Sequence, residues 1–149
     1  MENLSKLVNE LRKLPTEIQW VEFKHNNYDP VMIGQDISAL ANSAAMCEKS
    51  CAYMLWGIDD TTHEIVGTDY KLQTLKKGNQ ELENWLRSLL SRNADVEFHT
   101  VTMNDKNVGV LIIYRAVNQT VMFEKTDYIR VGSYTKKLNE YPALQAQLW

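Results

Sequence analysis

The sequence predicts one α+β domain, in which a mixed, mainly antiparallel sheet packs against two main helices. Two segments repeat apolar residues at helical spacing, and several short β-rich segments surround them. The 149 residues are 44% hydrophobic with six Gly and three Pro, which is enough apolar material for one core and too little for two. We therefore expect a single domain over residues 1–149.

A short amphipathic helix and a strand open the chain. Apolar residues recur at helical spacing until Pro15 stops the pattern: Leu4, Leu7, Val8, Leu11 and Leu14. Residues 18–25 are rich in β-branched and aromatic side chains, which favours a strand. Because side chains alternate along a strand, Glu22 and Lys24 should share one polar face.

The first main helix and a buried strand follow. Asp29 and Pro30 form a strong helix start, because the Asp side chain can cap free amide groups and Pro fits the first helical position. This helix should extend to about residue 46. Residues 51–58 are apolar throughout, as in a strand buried on both faces, and the Asp-rich residues 59–62 close it in a turn. Residues 64–67 should return as a hairpin partner.

A second main helix and three β-rich segments make up the rest of the chain. Asn79 is the predicted cap of this helix, with Glu81 and Glu83 in its first turn. Residues 104–107 predict a hairpin connection, and Pro142 begins a short final helix. The β-rich segments are residues 96–103, 108–115 and 121–131, the last broken near residues 125–127.

The charge is uneven along the chain. The net charge is −3, with −5 in residues 1–75 and +2 in residues 76–149. This acidity is unusual for a protein that coats DNA, so nucleic-acid binding would need a local basic surface. No stretch approaches the roughly 18 consecutive apolar residues of a membrane span, and the N-terminus lacks the basic start of a signal peptide. We expect a cytoplasmic protein that does not bind membranes.

Cysteine and histidine do not predict a metal centre. Cys47 and Cys51 are too few for a disulfide framework and lack a second ligand pair for zinc, so we expect two reduced, half-buried thiols. His25, His63 and His99 are scattered without ligand spacing.

Acidic residues favour a different kind of metal site. Glu17 precedes the first predicted strand, Glu22 lies within it, and Asp60 lies where a buried strand enters its turn. Mg²⁺ and Mn²⁺ prefer oxygen ligands, and Lys24 could then stabilise the charge on a reacting phosphodiester. The alternative is a solvated strand face beside an ordinary turn. Glu17 and Glu22 differ by five positions, so Glu17 can join the site only if the chain bends near residues 17–19.

Five segments stand in a recognisable order along the chain: residues 17–24, 37–42, 55–60, 65–67 and 128–133. In this order they resemble the Schlafen/AlbA-like domain family of the AlbA_2 type. In that family an acid precedes a Glu-Phe-Lys element, an Ala-Asn helix follows, and a strand leads to an Asp-containing turn and a short hairpin. The resemblance covers about residues 17–141 and lacks only the Gly-Gly that many members have after the Ala-Asn pair.

The resemblance implies a Schlafen/AlbA-like fold and two functions. The first is a nucleic-acid-binding domain of a bacterial transcriptional regulator, forming the N-terminal module of a longer protein with a C-terminal ATP-binding or winged-helix region. The second is a divalent-metal-dependent endoribonuclease that cuts tRNA or rRNA, with Glu17, Glu22 and Asp60 as metal ligands and Lys24 beside them. A protein-interaction or homo-oligomerisation domain stays open as a third class.

Basic residues are the candidates for DNA or RNA contacts, because phosphate contacts supply most sequence-independent affinity. Trp20 shares the face of Glu22 and Lys24, which makes it a candidate for base stacking, although packing is the simpler interpretation. Arg130 alternates with Ile129 and Val131, so it should point away from their face. The candidates are Lys24, Lys76, Lys77, Arg115, Arg130, Lys136 and Lys137.

Overall fold

A four-stranded sheet forms the centre of the computed structural model, which describes residues 3–16 and 18–148. In chain order the elements are α1 (Leu4–Arg12), β1 (Val21–Lys24), α2 (Pro30–Met46), β2 (Cys51–Trp56), a 3-10 turn (Leu72–Thr74), β3 (Lys76–Lys77), β4 (Gln80–Glu81), α3 (Leu82–Leu89), β5 (Val96–Met103), β6 (Lys106–Tyr114), β7 (Met122–Phe123), β8 (Thr126–Val131), β9 (Tyr134–Lys137), a second 3-10 turn (Leu138–Glu140) and α4 (Pro142–Gln147).

The central sheet has the order β1-β2-β6-β5, with β1 parallel to β2 and the other pairs antiparallel. Strands β7, β8 and β9 form a separate antiparallel sheet, and β3 and β4 form a small hairpin. The predicted α+β class with a mixed, mainly antiparallel sheet is therefore confirmed. Within the described residues, no helix has the length and apolar character needed to cross a membrane.

Helices cover both faces of the central sheet. Helices α2 and α3 pack on the face that carries Met54, Trp56 and Leu111, and α1 packs on the face that carries Leu55 and Val110. In β1, Val21 and Phe23 point into the α1 side. Because side chains alternate, Glu22 and Lys24 point to the α2 side.

Helix α2 begins as its sequence predicts. The Asp29 carboxylate accepts hydrogen bonds from the backbone amides of Val31 and Met32 at 3.0 and 3.3 Å, and Pro30 occupies the first turn. These contacts satisfy amide groups that a helix start leaves without partners. The start of α2 is thereby fixed, and with it the position of its buried polar face.

Polar side chains of α2 hold the β7–β8 segment against the helix. The Asn42 amide donates to the carbonyls of Val121 and Tyr128 at 3.0 and 2.9 Å and accepts from the Val121 amide at 2.8 Å. The Ser43 hydroxyl accepts a hydrogen bond from the Arg130 amide at 3.0 Å, and the Ser38 hydroxyl accepts one from the Tyr128 amide at 3.0 Å. Strand β8 lies between β7 and β9, but β7 pairs only with Thr126 and Asp127. The α2 side chains take the place of a strand along the rest of that side of β8, because a buried backbone group requires a partner.

Several predicted elements differ in the structure. Asn79 does not cap α3, because it lies beside Gly78 in the turn of the unpredicted β3–β4 hairpin, and Glu81 precedes the helix without a side-chain cap. Residues 64–67 contribute a single bridge, between Ile58 and Ile65, rather than a strand. Strand β9 was also unpredicted.

Candidate functional site

A cluster of charged side chains lies between β1, α2 and the β8–β9 hairpin. The Glu22 carboxylate is 2.6 Å from Arg130 Nη2 and 3.6 Å from Lys24 Nζ. Lys24 also lies 3.5 Å from the Asp36 carboxylate, which accepts a hydrogen bond from the Thr135 hydroxyl at 2.6 Å. We call these five residues the Glu22 cluster. It joins three parts of the fold through charge-assisted hydrogen bonds.

The cluster is largely shielded from water. The side chain of Arg130 is 1% exposed, those of Lys24 and Asp36 are 9% exposed, and that of Glu22 is 20% exposed. Two cations and two carboxylates balance each other, which is the condition under which charges are tolerated at such burial. Glu22 is the most accessible charged member, so it is the one that can meet a ligand.

Glu22 and Asp60 line the same cavity. Its volume is about 360 Å³, and Ser133 at the tip of the β8–β9 hairpin lines it as well. The other lining residues are Thr16, Val21, Phe23 and Thr61. The first strand, the turn after β2 and the hairpin thus meet at one opening.

The two aspartates of the turn have different surroundings. Asp59 accepts hydrogen bonds from the backbone amides of Thr61 and Thr62, both at 2.8 Å, and these bonds lower the pKa of its carboxyl. Asp60 is exposed, and its contact is a 3.3 Å hydrogen bond from the Thr61 hydroxyl. Asp59 therefore builds the turn, and Asp60 keeps a carboxylate available in the cavity.

Glu17, the third predicted metal ligand, lies outside the described residues. Among residues 3–16 and 18–148, no group of three Asp, Glu, His or Cys side chains is arranged to hold a metal ion. The described part of the site therefore supplies two of the three predicted carboxylates, Glu22 and Asp60. Cys47 and Cys51 are free thiols, and burial raises the pKa of both.

Known proteins that resemble the chain point to one family. The Schlafen, AlbA_2 family matches residues 17–139, a range that includes Asp60 and every residue of the Glu22 cluster. The chain belongs to the Schlafen, AlbA_2 family. This family is regarded as one of nucleic-acid-binding domains.

The AlbA_2 fold is also seen in a solved structure, that of the DIP2311 protein from Corynebacterium diphtheriae. The TM-score is 0.54 at 15% sequence identity, which shows a common fold. The match covers 99% of this chain and 32% of the other, so this AlbA_2 domain spans about a third of the length of DIP2311. No curated protein shows significant sequence similarity to the chain.

Two basic residues of this AlbA_2 domain are less available for phosphate contacts than their sequence suggested. Arg130 points away from Ile129 as expected, but this direction is inward, where its guanidinium contacts Glu22 and donates to the Ser133 carbonyl at 2.9 Å. Lys24 is held between Glu22 and Asp36. Both side chains therefore organise the site from beneath its surface.

The remaining basic candidates are exposed but lie in three places. Lys136 and Lys137 are on β9, three and four residues after the cavity residue Ser133. Lys76 and Lys77 are on β3, where Lys76 is directly opposite Glu81. Arg115 follows β6 at the end of the sheet where Tyr114 pairs with Cys51, which is the end away from Asp60. Of these three places, β9 is the one that begins directly after a cavity residue, Ser133.

Trp20 serves the core. Its ring contacts Tyr53 edge to face at 6.4 Å, and Lys49 Nζ lies 4.9 Å from the ring centroid. It packs against core residues on both faces of the central sheet, which agrees with the packing interpretation.

Three contributors to the site were not found by sequence reasoning. Asp36 and Thr135 join the Glu22 cluster, and Tyr134 lies exposed at the start of β9. The signal for Asp36 was a charged residue three positions after Ile33 and four before Leu40, a spacing that places it on the apolar face of the helix. A charge at such a position is buried only when it has a partner.

Proposed function

We propose that this AlbA_2 domain binds nucleic acid at the β8–β9 hairpin and the cavity that Glu22 and Asp60 line. The observation that supports this best is the local charge of the hairpin. Residues 128–137 include three basic residues and no acidic one, in a protein of net charge −3. Lys136 and Lys137 are exposed there, and the third, Arg130, is neutralised by Glu22. The two lysines form the surface that attracts phosphates.

The hairpin is a better phosphate-binding surface than β3. Lys136 is paired across the sheet with Ile129, and Lys137 with Tyr128, so no carboxylate stands directly opposite either of them. Lys76 stands opposite Glu81, which offsets its charge. The β3 pair is therefore a natural control for the β9 pair.

Changing Lys136 and Lys137 together to Ala should weaken binding and reduce its salt dependence. Each phosphate contact contributes about −0.7 to −0.9 to the slope of log affinity against log salt, so the double variant should lose about one to two slope units. Fluorescence anisotropy with labelled RNA and DNA at several salt concentrations measures this slope. We expect the wild-type domain to make about two to four phosphate contacts in total and to bind with micromolar affinity.

The matched control is the Lys76→Ala/Lys77→Ala variant, which removes the same charge from the other hairpin and should change the slope by less than half a unit. Equal effects of the two variants would mean that net charge alone governs binding. No binding by the wild-type domain at low salt would contradict the proposed function and favour an interaction or oligomerisation domain.

A second candidate function is metal-dependent cleavage of RNA, because Glu22 and Asp60 line one cavity. Glu22, Asp60 and Glu17 would hold Mg²⁺ or Mn²⁺, and the ion would polarise a phosphodiester and activate water. Lys24 would act indirectly, since its ammonium group is between Glu22 and Asp36 and orients the Glu22 carboxylate.

Asp60→Asn is the variant that tests cleavage. Asp60 is exposed and makes one weak contact, so the variant should fold normally while losing a metal ligand. We expect Mn²⁺-dependent cleavage of labelled tRNA or rRNA to fall at least about 100-fold, with binding unchanged or slightly tighter. Asp59→Asn, in the same turn, is the control. It tests whether cleavage falls because the shape of the turn changes and not because a metal ligand is lost. Cleavage that persists in Asp60→Asn would assign the activity to another site or a contaminant.

We further propose that this domain is the nucleic-acid-binding module of a longer bacterial regulator. An ATP-binding or winged-helix region of that protein would supply the rest of the affinity.

A further inference from the structure

Tyr134 is exposed to an unusual degree for an aromatic side chain. It is 68% accessible, more than any other large hydrophobic side chain among the described residues. The next most exposed aromatic ring, Tyr70, is 51% accessible and contacts Tyr28 edge to face. A tyrosine combines an apolar ring with a polar hydroxyl, and such side chains are enriched at interfaces.

The backbone that carries Tyr134 is held on both sides. Before it, Gly132 takes a positive φ of 62° in the turn, and the buried Arg130 donates to the Ser133 carbonyl at 2.9 Å. After it, the Thr135 hydroxyl donates to the buried Asp36 at 2.6 Å. The ring therefore projects from an ordered hairpin rather than from a loose loop, which reduces the entropy lost when a ligand orders it.

A cation accompanies the ring. Tyr134 and Lys136 are two residues apart on β9, so they share a face, and Lys136 Nζ lies 5.7 Å from the ring centroid. An aromatic face beside an ammonium group offers one surface for a nucleobase and one charge for its phosphate. The preceding residue, Ser133, lines the cavity with Glu22 and Asp60.

We propose that Tyr134 is a stacking platform for an unpaired base, and that the ligand of this site is single-stranded nucleic acid. This inference rests on the proposed nucleic-acid-binding function. In a duplex both faces of each base are covered by neighbouring bases, whereas a single strand can place a base on an aromatic ring. A strand whose base stacks on Tyr134 would have Lys136 on one side for its phosphate and the cavity residue Ser133 on the other.

The test compares Tyr134→Ala with Tyr134→Phe, which keeps the ring. Stacking of one base on one aromatic side chain raises affinity by about 5-fold to 150-fold. We expect Tyr134→Ala to lose at least about five-fold in affinity for single-stranded RNA and DNA, and Tyr134→Phe to stay within about two-fold. The salt slope should be unchanged in both, because neither change removes a charge.

Two further ligands make the result specific. An oligonucleotide of abasic sugar-phosphate units should bind wild type and Tyr134→Ala equally, since it has phosphates but no bases. Blunt duplex DNA should bind more weakly than the single strands and should not distinguish the two proteins. Comparison of the RNA and DNA single strands shows which sugar the site prefers.

The outcomes separate the two proposals. If the wild type binds and the Lys136→Ala/Lys137→Ala variant has a smaller slope, but Tyr134→Ala binds single strands normally, the stacking inference is wrong and the binding function stands. Preference of the wild type for duplex DNA would overturn it as well. If the wild type binds no nucleic acid, the proposed function itself fails.

Discussion

Asn42→Ala is expected to destabilise the fold by about 3 to 5 kcal/mol. The Asn42 side chain is fully buried and makes three hydrogen bonds to the backbone of Val121 and Tyr128. Alanine would leave the buried Val121 amide without this acceptor and remove a donor from the Tyr128 carbonyl. Each buried polar group without a partner costs about 1 to 3 kcal/mol, and the lost side-chain volume adds to this.

Urea denaturation followed by circular dichroism measures the free energy of unfolding of each variant. Asn139→Ala, at an exposed position, should change it by less than about 0.5 kcal/mol. Ser43→Ala removes a single bond to the Arg130 amide and should fall between the two. A loss below about 1 kcal/mol for Asn42→Ala would show that water replaces the amide group and that α2 does not hold β8 in the way described.

Glu22→Gln should have the second largest effect, a destabilisation of about 3 kcal/mol. Among the described residues, Glu22 is the one carboxylate within 4.0 Å of the Arg130 guanidinium, whose side chain is 1% exposed. Removing one partner of a buried pair leaves the other charge uncompensated, which typically costs about 3 to 5 kcal/mol. The partial exposure of Glu22 places the expected value at the lower end.

The reverse change should cost less. In Arg130→Met, Glu22 keeps Lys24 at 3.6 Å and partial contact with water, so we expect a loss of about 1 to 2 kcal/mol. The double variant Glu22→Gln/Arg130→Met should be more stable than Glu22→Gln alone, because no unpaired buried guanidinium remains.

The exposed pair Glu10–Lys13, 3.8 Å apart, provides the control, and Glu10→Gln should change stability by less than about 0.5 kcal/mol. Strictly additive effects of Glu22→Gln and Arg130→Met would mean that the two groups do not interact.

Elements with a strong period and a cap were predictable. Helix α2 begins at Pro30 because Asp29 caps it, and β5 has the predicted bounds of Val96–Met103. Strand β9 could not be predicted, because Tyr134–Lys137 has no apolar alternation and is a strand only through its pairing with β8. The prediction of Asn79 as a helix cap was wrong for a related reason. Asn favours turns as well as helix starts, and here Asn79 lies with Gly78 in the turn between β3 and β4.

The site was predictable where alternation governs it. Period two placed Glu22 and Lys24 on one face and Arg130 opposite Ile129, and each of these placements holds. Alternation does not say which side of a strand is buried, so it could not show that Arg130 points inward. Asp36 meets Thr135 across 99 residues of sequence, a tertiary contact that no local pattern contains.

The attachment of β8 to α2 has a consequence for how the chain folds during its synthesis. The hydrogen bonds of Ser38, Asn42 and Ser43 reach partners 79 to 90 residues later, and Glu22 meets Arg130 after 108 residues. Contacts so distant in sequence form late. A nascent chain that has left the ribosome only as far as β6 would expose the polar face of α2 together with a Glu22 that still lacks Arg130. The nucleic-acid surface of the hairpin would then be completed by the same late step that closes the core.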